Sequence, residues 1–270
     1  MAQLKNIPAA GTGLLRVEGV AKRFAHRDSP DTIALSDCSF TVEPGKLTVL
    51  MGPSGCGKST LAYLLAGYLE LETGSITMDG APVRGAGPDR MLVFQETALW
   101  PWMTIIDNVM FGPLARGLMT REEARREAQE LLARFGLAGF GERYPKQLSG
   151  GMKRRAELAQ ALINEPKVMI LDEPFRGLDV MTRELMQEYY MELFESTHST
   201  TLFITSELEE AIFLADQLLF MCPSPGRIVQ TMEIDLPHPR TFASTETPRY
   251  LEIKKRVTAI LNEAGAFEVT

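Results

Sequence analysis

Three short runs along the chain are almost continuously apolar: Leu47 to Met51, Val168 to Leu171 and Thr201 to Thr205. Unbroken runs of this length suit strands of a central parallel sheet covered on both faces. Further β-type runs, LLRVEGV from Leu14, SITMDG from Ser75, MLVF from Met91 and QLLFM from Gln217, are separated by longer stretches with helical spacing. That alternation predicts an α/β layer architecture. Toward the N-terminus the pattern changes: segments around Leu14 to Val20 and Ser36 to Val42 alternate, and Asp79-Gly80 turns one strand into the next. These features predict antiparallel hairpins in a separate β layer. After Phe111, Thr120 and Glu123 form a capping-box signature, Ala124, Ala128, Leu131, Leu132 and Phe135 recur at helical spacing, and Gly136 closes the helix. The pattern therefore predicts a helical insertion of roughly Leu99 to Ala161 interrupting the sheet. Beyond Cys222, PSPGRI marks a turn and PHPRTFASTETP a proline-rich crossing to a final helix, Arg249 to Ala264.

The 270 residues, 45% of them hydrophobic, suffice for one large core or a core with a subdomain. With 28 basic residues against 35 acidic, the net charge of −7 argues against a surface built to grip nucleic acid. The segment MAQLKNIPAAGTG lacks the apolar run of a secretory signal, and no stretch is long and apolar enough to span a membrane. Cys38, Cys56 and Cys222 follow no metal-ligand spacing and are expected to be reduced thiols of a cytoplasmic protein. His26, His198 and His238 stand outside every motif and are expected to be ordinary surface or core residues.

Chemistry concentrates in a few motifs. GPSGCGKST, comprising Gly52, Pro53, Ser54, Gly55, Cys56, Gly57, Lys58, Ser59 and Thr60, follows an apolar strand and opens a helix, the context of a phosphate-binding loop. Its glycines let backbone N–H groups wrap phosphate oxygens, Lys58 brings an ammonium to the outer phosphates, and Ser59 offers a hydroxyl to Mg²⁺. The strand VMIL ends in Asp172-Glu173, placing Asp172 to hold a metal through water and Glu173 to act as base toward an attacking water. On these residues alone a kinase, a GTPase or an ATPase would fit. A second helix mouth, LSGGMKRRAELAQAL from Leu148, has a capping serine and open glycine N–H groups but no lysine of its own in the loop. Lys153, Arg154 and Arg155 within it are expected on a solvated helix face.

LSGG just upstream of VMILDEP resembles the signature motif of ABC-type ATPases, and the other family motifs follow in order, from about Leu14 to Ala264. Phe24 resembles the aromatic that stacks on adenine, VFQE supplies Gln95, and GLD supplies Asp179. The resemblance implies an ABC cassette with a RecA-like P-loop core, an antiparallel β subdomain and a helical signature subdomain, over residues 14–240, followed by a helical extension at 241–270. It implies ATP and Mg²⁺ as ligands, with Gln95 touching the metal as well as serving catalysis. It also implies two cassettes packed head to tail, Ser149, Gly150, Gly151 and the adjoining Met152 of one meeting the γ-phosphate held by Lys58 of the other. The helix mouth would then lack a lysine because its partner brings one.

Several stretches, among them VFQETALWPWMT, RYPKQLSGGM, LDEPFRGLD and EEAIFLAD, resemble the ATP-binding subunits of bacterial importers for nitrate, sulfonate, taurine and bicarbonate. This implies a peripheral ATPase on the cytoplasmic face of the bacterial inner membrane. It would energise import of a small anionic or polar solute through separate permease subunits, with a solute-binding protein as an indirect partner and no nucleic acid. Trp100 and Trp102 flank Pro101 just after Gln95; they are either core or part of the socket where the family's permease docks.

The sequence also departs from the family. Ser206 stands where a histidine is usual and Glu207 where aspartate is usual; a hydroxyl is shorter than imidazole and carries no charge near neutral pH. Slow turnover is expected from this position. Arg154 replaces a common glutamine, Gln160 a common arginine, and Arg176-Gly177 a common glycine-alanine. A specialised cassette that binds ATP with little hydrolysis and a non-transport ABC ATPase remain as rival readings.

Overall fold

The computed structural model describes residues 13–25, 30–223 and 225–263, so His26 and Ala264 lie outside the described residues. The described residues form two sheets. The first is antiparallel and four-stranded, in the order β2 (Thr32–Val42), β1 (Leu15–Phe24), β4 (Thr73–Met78) and β5 (Ala81–Pro82). The predicted Asp79-Gly80 turn joins β4 to β5, both residues having positive φ, 50° and 79°. Positive φ at both central positions gives the turn a twist that matches its strands, and Gly80 adopts it without steric cost.

The second sheet has six strands, in the order β10 (Arg227–Glu233), β9 (Gln217–Cys222), β3 (Leu47–Met51), β8 (Thr200–Thr205), β7 (Val168–Asp172) and β6 (Arg90–Val93). All neighbours are parallel except β10, which returns antiparallel along β9. Alternate residues of the central strands enter opposite cores. Leu47, Val49 and Met51 with Met169, Leu171 and Phe203 face the helices, while Leu50, Val168, Ile170, Leu202 and Ile204 face the first sheet and α1 (Lys58–Ala66). Burial on both sides is why these strands read as unbroken apolar runs.

The stretch 99–161 holds α2 (Ile105–Ala115), α3 (Arg121–Arg134), a single 3₁₀ turn and most of α4 (Gly150–Leu162), and no strand. The capping box at Thr120 is formed in both directions, and Gly136 follows α3 with φ 66°. The chain then runs through α5 (Val180–Thr197), α6 (Leu208–Leu214) and, past the proline-rich crossing, α7 (Pro248–Glu263). Tyr250, Ile253, Val257 and Leu261 line the buried stripe of α7. Arg240, buried within the crossing, donates to the carbonyls of Phe213, Leu214 and Ala215 and pairs with Asp216 at 3.0 Å. It thereby caps the C-terminal end of α6, where unpaired carbonyls favour a cation.

Register fixes the site. Met51 pairs with Thr205 and Asp172 with Ile204, so the carboxyl ends of β3, β8 and β7 finish level with one another. The loops after them therefore converge at one edge of the sheet, the position where ligands of open α/β sheets bind.

Candidate functional site

Gly52 leaves β3 where the chain has no room for a side chain: a Cβ there would lie 2.7 Å from the Met221 carbonyl and 2.8 Å from Cys56 Sγ. Cys56 is buried beneath the loop, and burial pushes its thiol pKa up against the nearby Lys58. Ser54 and Gly55 form the exposed rim. Gly57, the N-cap residue of α1, has φ 100° and no side-chain cap, so the first N–H groups of the helix, including those of Ser59 and Thr60, are left for an external acceptor. Lys58 is buried, its ammonium donating to the carbonyls of Gly52 at 2.8 Å and Pro53 at 2.9 Å.

The loop after β7 faces this cradle. Asp172 is buried, and neither carboxylate oxygen has a hydrogen-bond partner of good geometry among the described residues. Desolvation raises its pKa, with the Ser59 hydroxyl the largest opposing influence. A buried carboxylate next to a hydroxyl, otherwise unmatched, is a donor set suited to a hard cation such as Mg²⁺. Glu173 has left-handed φ, 43°, and is only 7% exposed. Its Oε1 lies 3.3 Å from Lys58 Nζ, and its Oε2 accepts from Arg176 Nη1 at 2.8 Å. A non-glycine residue in that backbone region is strained, and such strain concentrates at functional sites. Ser206, at the end of β8, shares with Glu173, Arg176 and Arg183 a chamber of about 20 Å³.

Gln95 enters through Arg176. With its amide oxygen turned to the guanidinium, it accepts from Nη1 at 3.0 Å and Nε at 3.3 Å. Its backbone is held from the other side. Arg154 of α4 is 7% exposed and donates to the Phe94 carbonyl at 2.7 Å and the Gln95 carbonyl at 2.6 Å. Glu157 pairs with it at 2.8 Å and also accepts the Ala98 N–H. The expectation of a solvated face for Arg154 is thus corrected: a charge run showed composition, but the backbone carbonyls that recruit this guanidinium come from sixty residues away.

Other predicted residues lie apart from this cluster. Ser149 caps α4, accepting from Met152 N–H at 3.3 Å, and is exposed with Gly150. Gly151 is buried against α5; a Cβ would lie 2.8 Å from Thr182 Cγ2. Asp179 caps α5 through Thr182, whose N–H and hydroxyl hold its pKa down. Phe24 ends β1, half-buried, with the Lys22 ammonium 5.8 Å from its ring centroid. No hydrogen bond, ion pair or ring contact among the described residues joins these groups to the phosphate loop.

A sequence model of the family described as ABC transporter matches residues 35–176, spanning the phosphate loop, the signature helix and the acidic pair. The chain belongs to the ABC transporter family. The taurine import ATP-binding protein TauB of Pseudomonas entomophila (strain L48) is 40% identical over 91% of this chain and 95% of its own length. Its namesake in Rhizobium johnstonii is 41% identical over 92% and 97%. Among solved structures, a dimeric ATP-binding cassette in a post-hydrolysis state bound to ADP and Pi superposes with a TM-score of 0.72 at 26% identity, covering 82% of this chain and 98% of that one. CbiO1 from Clostridium perfringens, part of the ABC transporter complex cbiONQ, gives 0.73 at 25% identity, covering 93% and 95%. The expected α/β fold is therefore that of an ABC ATPase cassette, a protein class that binds ATP with Mg²⁺. No helix among the described residues is long and apolar enough to cross a membrane.

Sequence reasoning missed the part played by Arg176 and the Arg154–Glu157 pair. The departures at 154 and 176 were visible, but a substitution reveals its contacts only when the fold brings the partner groups together.

Proposed function

We propose that this chain is the ATP-hydrolysing subunit of a bacterial importer, peripheral on the cytoplasmic face of the inner membrane, that drives a small anionic or polar solute through separate permease subunits. The observation that carries the reading is the unmatched, buried Asp172 carboxylate beside the Lys58–Glu173 ion pair, at the mouth of a helix with no side-chain cap. The taurine-import names of its relatives support the solute class.

In this reading Lys58 exchanges its loop carbonyls for the outer phosphates of ATP, and the amides opening α1 bind the phosphate oxygens. Phe24 stacks on the adenine. Asp172 and Ser59 would hold Mg²⁺, which would neutralise charge developing on the phosphates, while Gln95, its amide oxygen engaged by Arg176, serves catalysis beside Glu173. Glu173 takes the proton from the attacking water, and Ser206 contributes a hydroxyl toward the same space. Ser149 to Met152 and Asp179 serve a second cassette, of this chain or a paralogue: they sit together at the α4 and α5 mouths and, among the described residues, make no hydrogen bond, ion pair or ring contact with the chain's own phosphate loop. A helix mouth aimed at a γ-phosphate across that interface closes the pair while the phosphate is present and releases it after hydrolysis.

Trp102 is 72% exposed, and Trp100 packs edge-on against Phe111 at 4.1 Å. An exposed indole next to a segment tethered to the site suits permease docking. The cassette proper is assigned to residues 14–240, with its helical subdomain at about 99–161 and a helical extension at 241–270. The test is purification from membranes together with phosphate release. A co-purifying permease and Mg²⁺-dependent turnover lost in Lys58→Ala are expected, and absence of both would overturn the reading. Turnover at background with ATP still bound would favour the weakly hydrolysing alternative that Ser206 suggests.

A further inference from the structure

The most unusual contact in the site belongs to Arg176, in the loop between β7 and α5. Its side chain is 55% exposed, yet two functional groups share its guanidinium: Glu173 Oε2 at 2.8 Å and, with the Gln95 amide turned so that its oxygen faces the guanidinium, that oxygen at 3.0 and 3.3 Å. Nη1 lies within hydrogen-bond distance of both acceptors, and Nε adds the second contact to Gln95. The two oxygens of Glu173 are thus held differently. Oε1 faces Lys58, a cation required by the phosphates; Oε2 faces Arg176, whose planar fork is always charged.

That division has a chemical consequence. A carboxylate acting as base needs one oxygen free to receive a proton and a fixed direction in which to receive it. When phosphate draws off the Lys58 ammonium, Oε1 is released and Arg176 is the remaining side-chain tether. Left-handed φ at Glu173 fixes the backbone, but its flexible side chain still needs a partner. We propose that Arg176 is a positioning residue for ATP hydrolysis: its guanidinium holds Glu173 Oε2 and the Gln95 side chain, so that Oε1 is the oxygen that accepts the proton of the attacking water. The proposal rests on Glu173 being the base, and it makes Gln95 a partner of that base through Arg176.

The test uses the full chain with ATP and Mg²⁺, comparing Arg176→Ala, Arg176→Lys, Gln95→Ala, Glu173→Gln and the Arg176→Ala/Gln95→Ala pair. Arg176→Ala is expected to lower kcat about tenfold with KM for ATP within about twofold, since an orientation present only in the transition state is lost. Arg176→Lys should recover part of kcat, and guanidinium ion at non-denaturing concentration should raise kcat of the alanine variant but not of Glu173→Gln. If one guanidinium serves both groups, the double variant should be no slower than the slower single. Unchanged kcat in Arg176→Ala, a change confined to KM, or a loss that neither lysine nor guanidinium repairs would overturn the proposal. Full activity in Glu173→Gln would instead remove the base itself, a different result from a silent Arg176 with an inactive Glu173→Gln. Because the Arg176 side chain is half exposed, its variants should keep the parent melting temperature; should one fail to fold, Arg176→Gln supplies the same comparison.

Discussion

The Arg154–Glu157 pair offers an asymmetric test of how α4 holds the Gln95 segment. Removing Glu157 leaves a guanidinium that cannot shed its charge, buried among neutral carbonyls. Breaking a buried pair commonly costs about 3–5 kcal/mol; the two carbonyls retained at 2.7 and 2.6 Å place Glu157→Ala near the lower end, about 3 kcal/mol. The Ala98 N–H also loses its acceptor, but Ala98 is exposed and water can replace it. Arg154→Gln behaves differently, because the carboxyl left behind can take up a proton. Burial already raises the Glu157 pKa, with Arg154 the chief opposing influence, so removing Arg154 raises it further. For a raised carboxyl pKa, the linked stability is present below the ordinary carboxylate range and lost as pH rises through the folded pKa. The cost of Arg154→Gln should therefore grow as pH rises above the ordinary carboxylate range, by at most about 1.4 kcal/mol per unit, while that of Glu157→Ala stays flat. Urea midpoints read by tryptophan fluorescence suit the measurement, since Trp100 lies in the same segment, its backbone N–H donating to Asn108 Oδ1. A flat Arg154→Gln profile, or a Glu157→Ala loss below about 1 kcal/mol, would refute the reasoning.

Other expectations are simpler. Asp172→Asn removes a buried charge whose pKa burial has raised, so in metal-free buffer it should stabilise the chain by about 1 kcal/mol above the folded pKa and lose that gain in acid, while abolishing Mg²⁺-dependent turnover; paired urea titrations and phosphate release check both halves. Glu173→Gln should cut hydrolysis by about 10²-fold or more and favour an ATP-bound dimer, read by phosphate release and light scattering. Ser206→His should hydrolyse ATP faster than the parent; an equal rate would show that position 206 does not limit turnover. Gly67→Ala places a Cβ 2.0 Å from the Gly85 carbonyl at φ 80°, so a loss of about 2 kcal/mol or more is expected in thermal melts.

How far the sequence reached depended on whether a signal was local. Strands β3, β7 and β8 were legible because burial on both faces demands unbroken apolar runs. The capped helix at Thr120 and the Asp79-Gly80 turn were legible because their hydrogen bonds and φ values involve neighbours in sequence. Strand β10 was not: only Met232 of its seven residues is buried, so an edge strand left no hydrophobic pattern. In the site, the phosphate loop could be read because its chemistry lies in consecutive backbone amides, and Asp172-Glu173 because they end an obvious strand. The state of those groups could not. Arg154 read as a surface charge until distant carbonyls enclosed it, and Arg176 read as an odd residue in a loop until strand register brought Glu173 and Gln95 within reach of one guanidinium. Sequence alone determined which elements form and which residue types carry phosphate chemistry, since propensity, capping and periodicity are short-range. Tertiary structure decided which side chain holds which, because burial and long-range pairing depend on where the sheet places segments far apart along the chain.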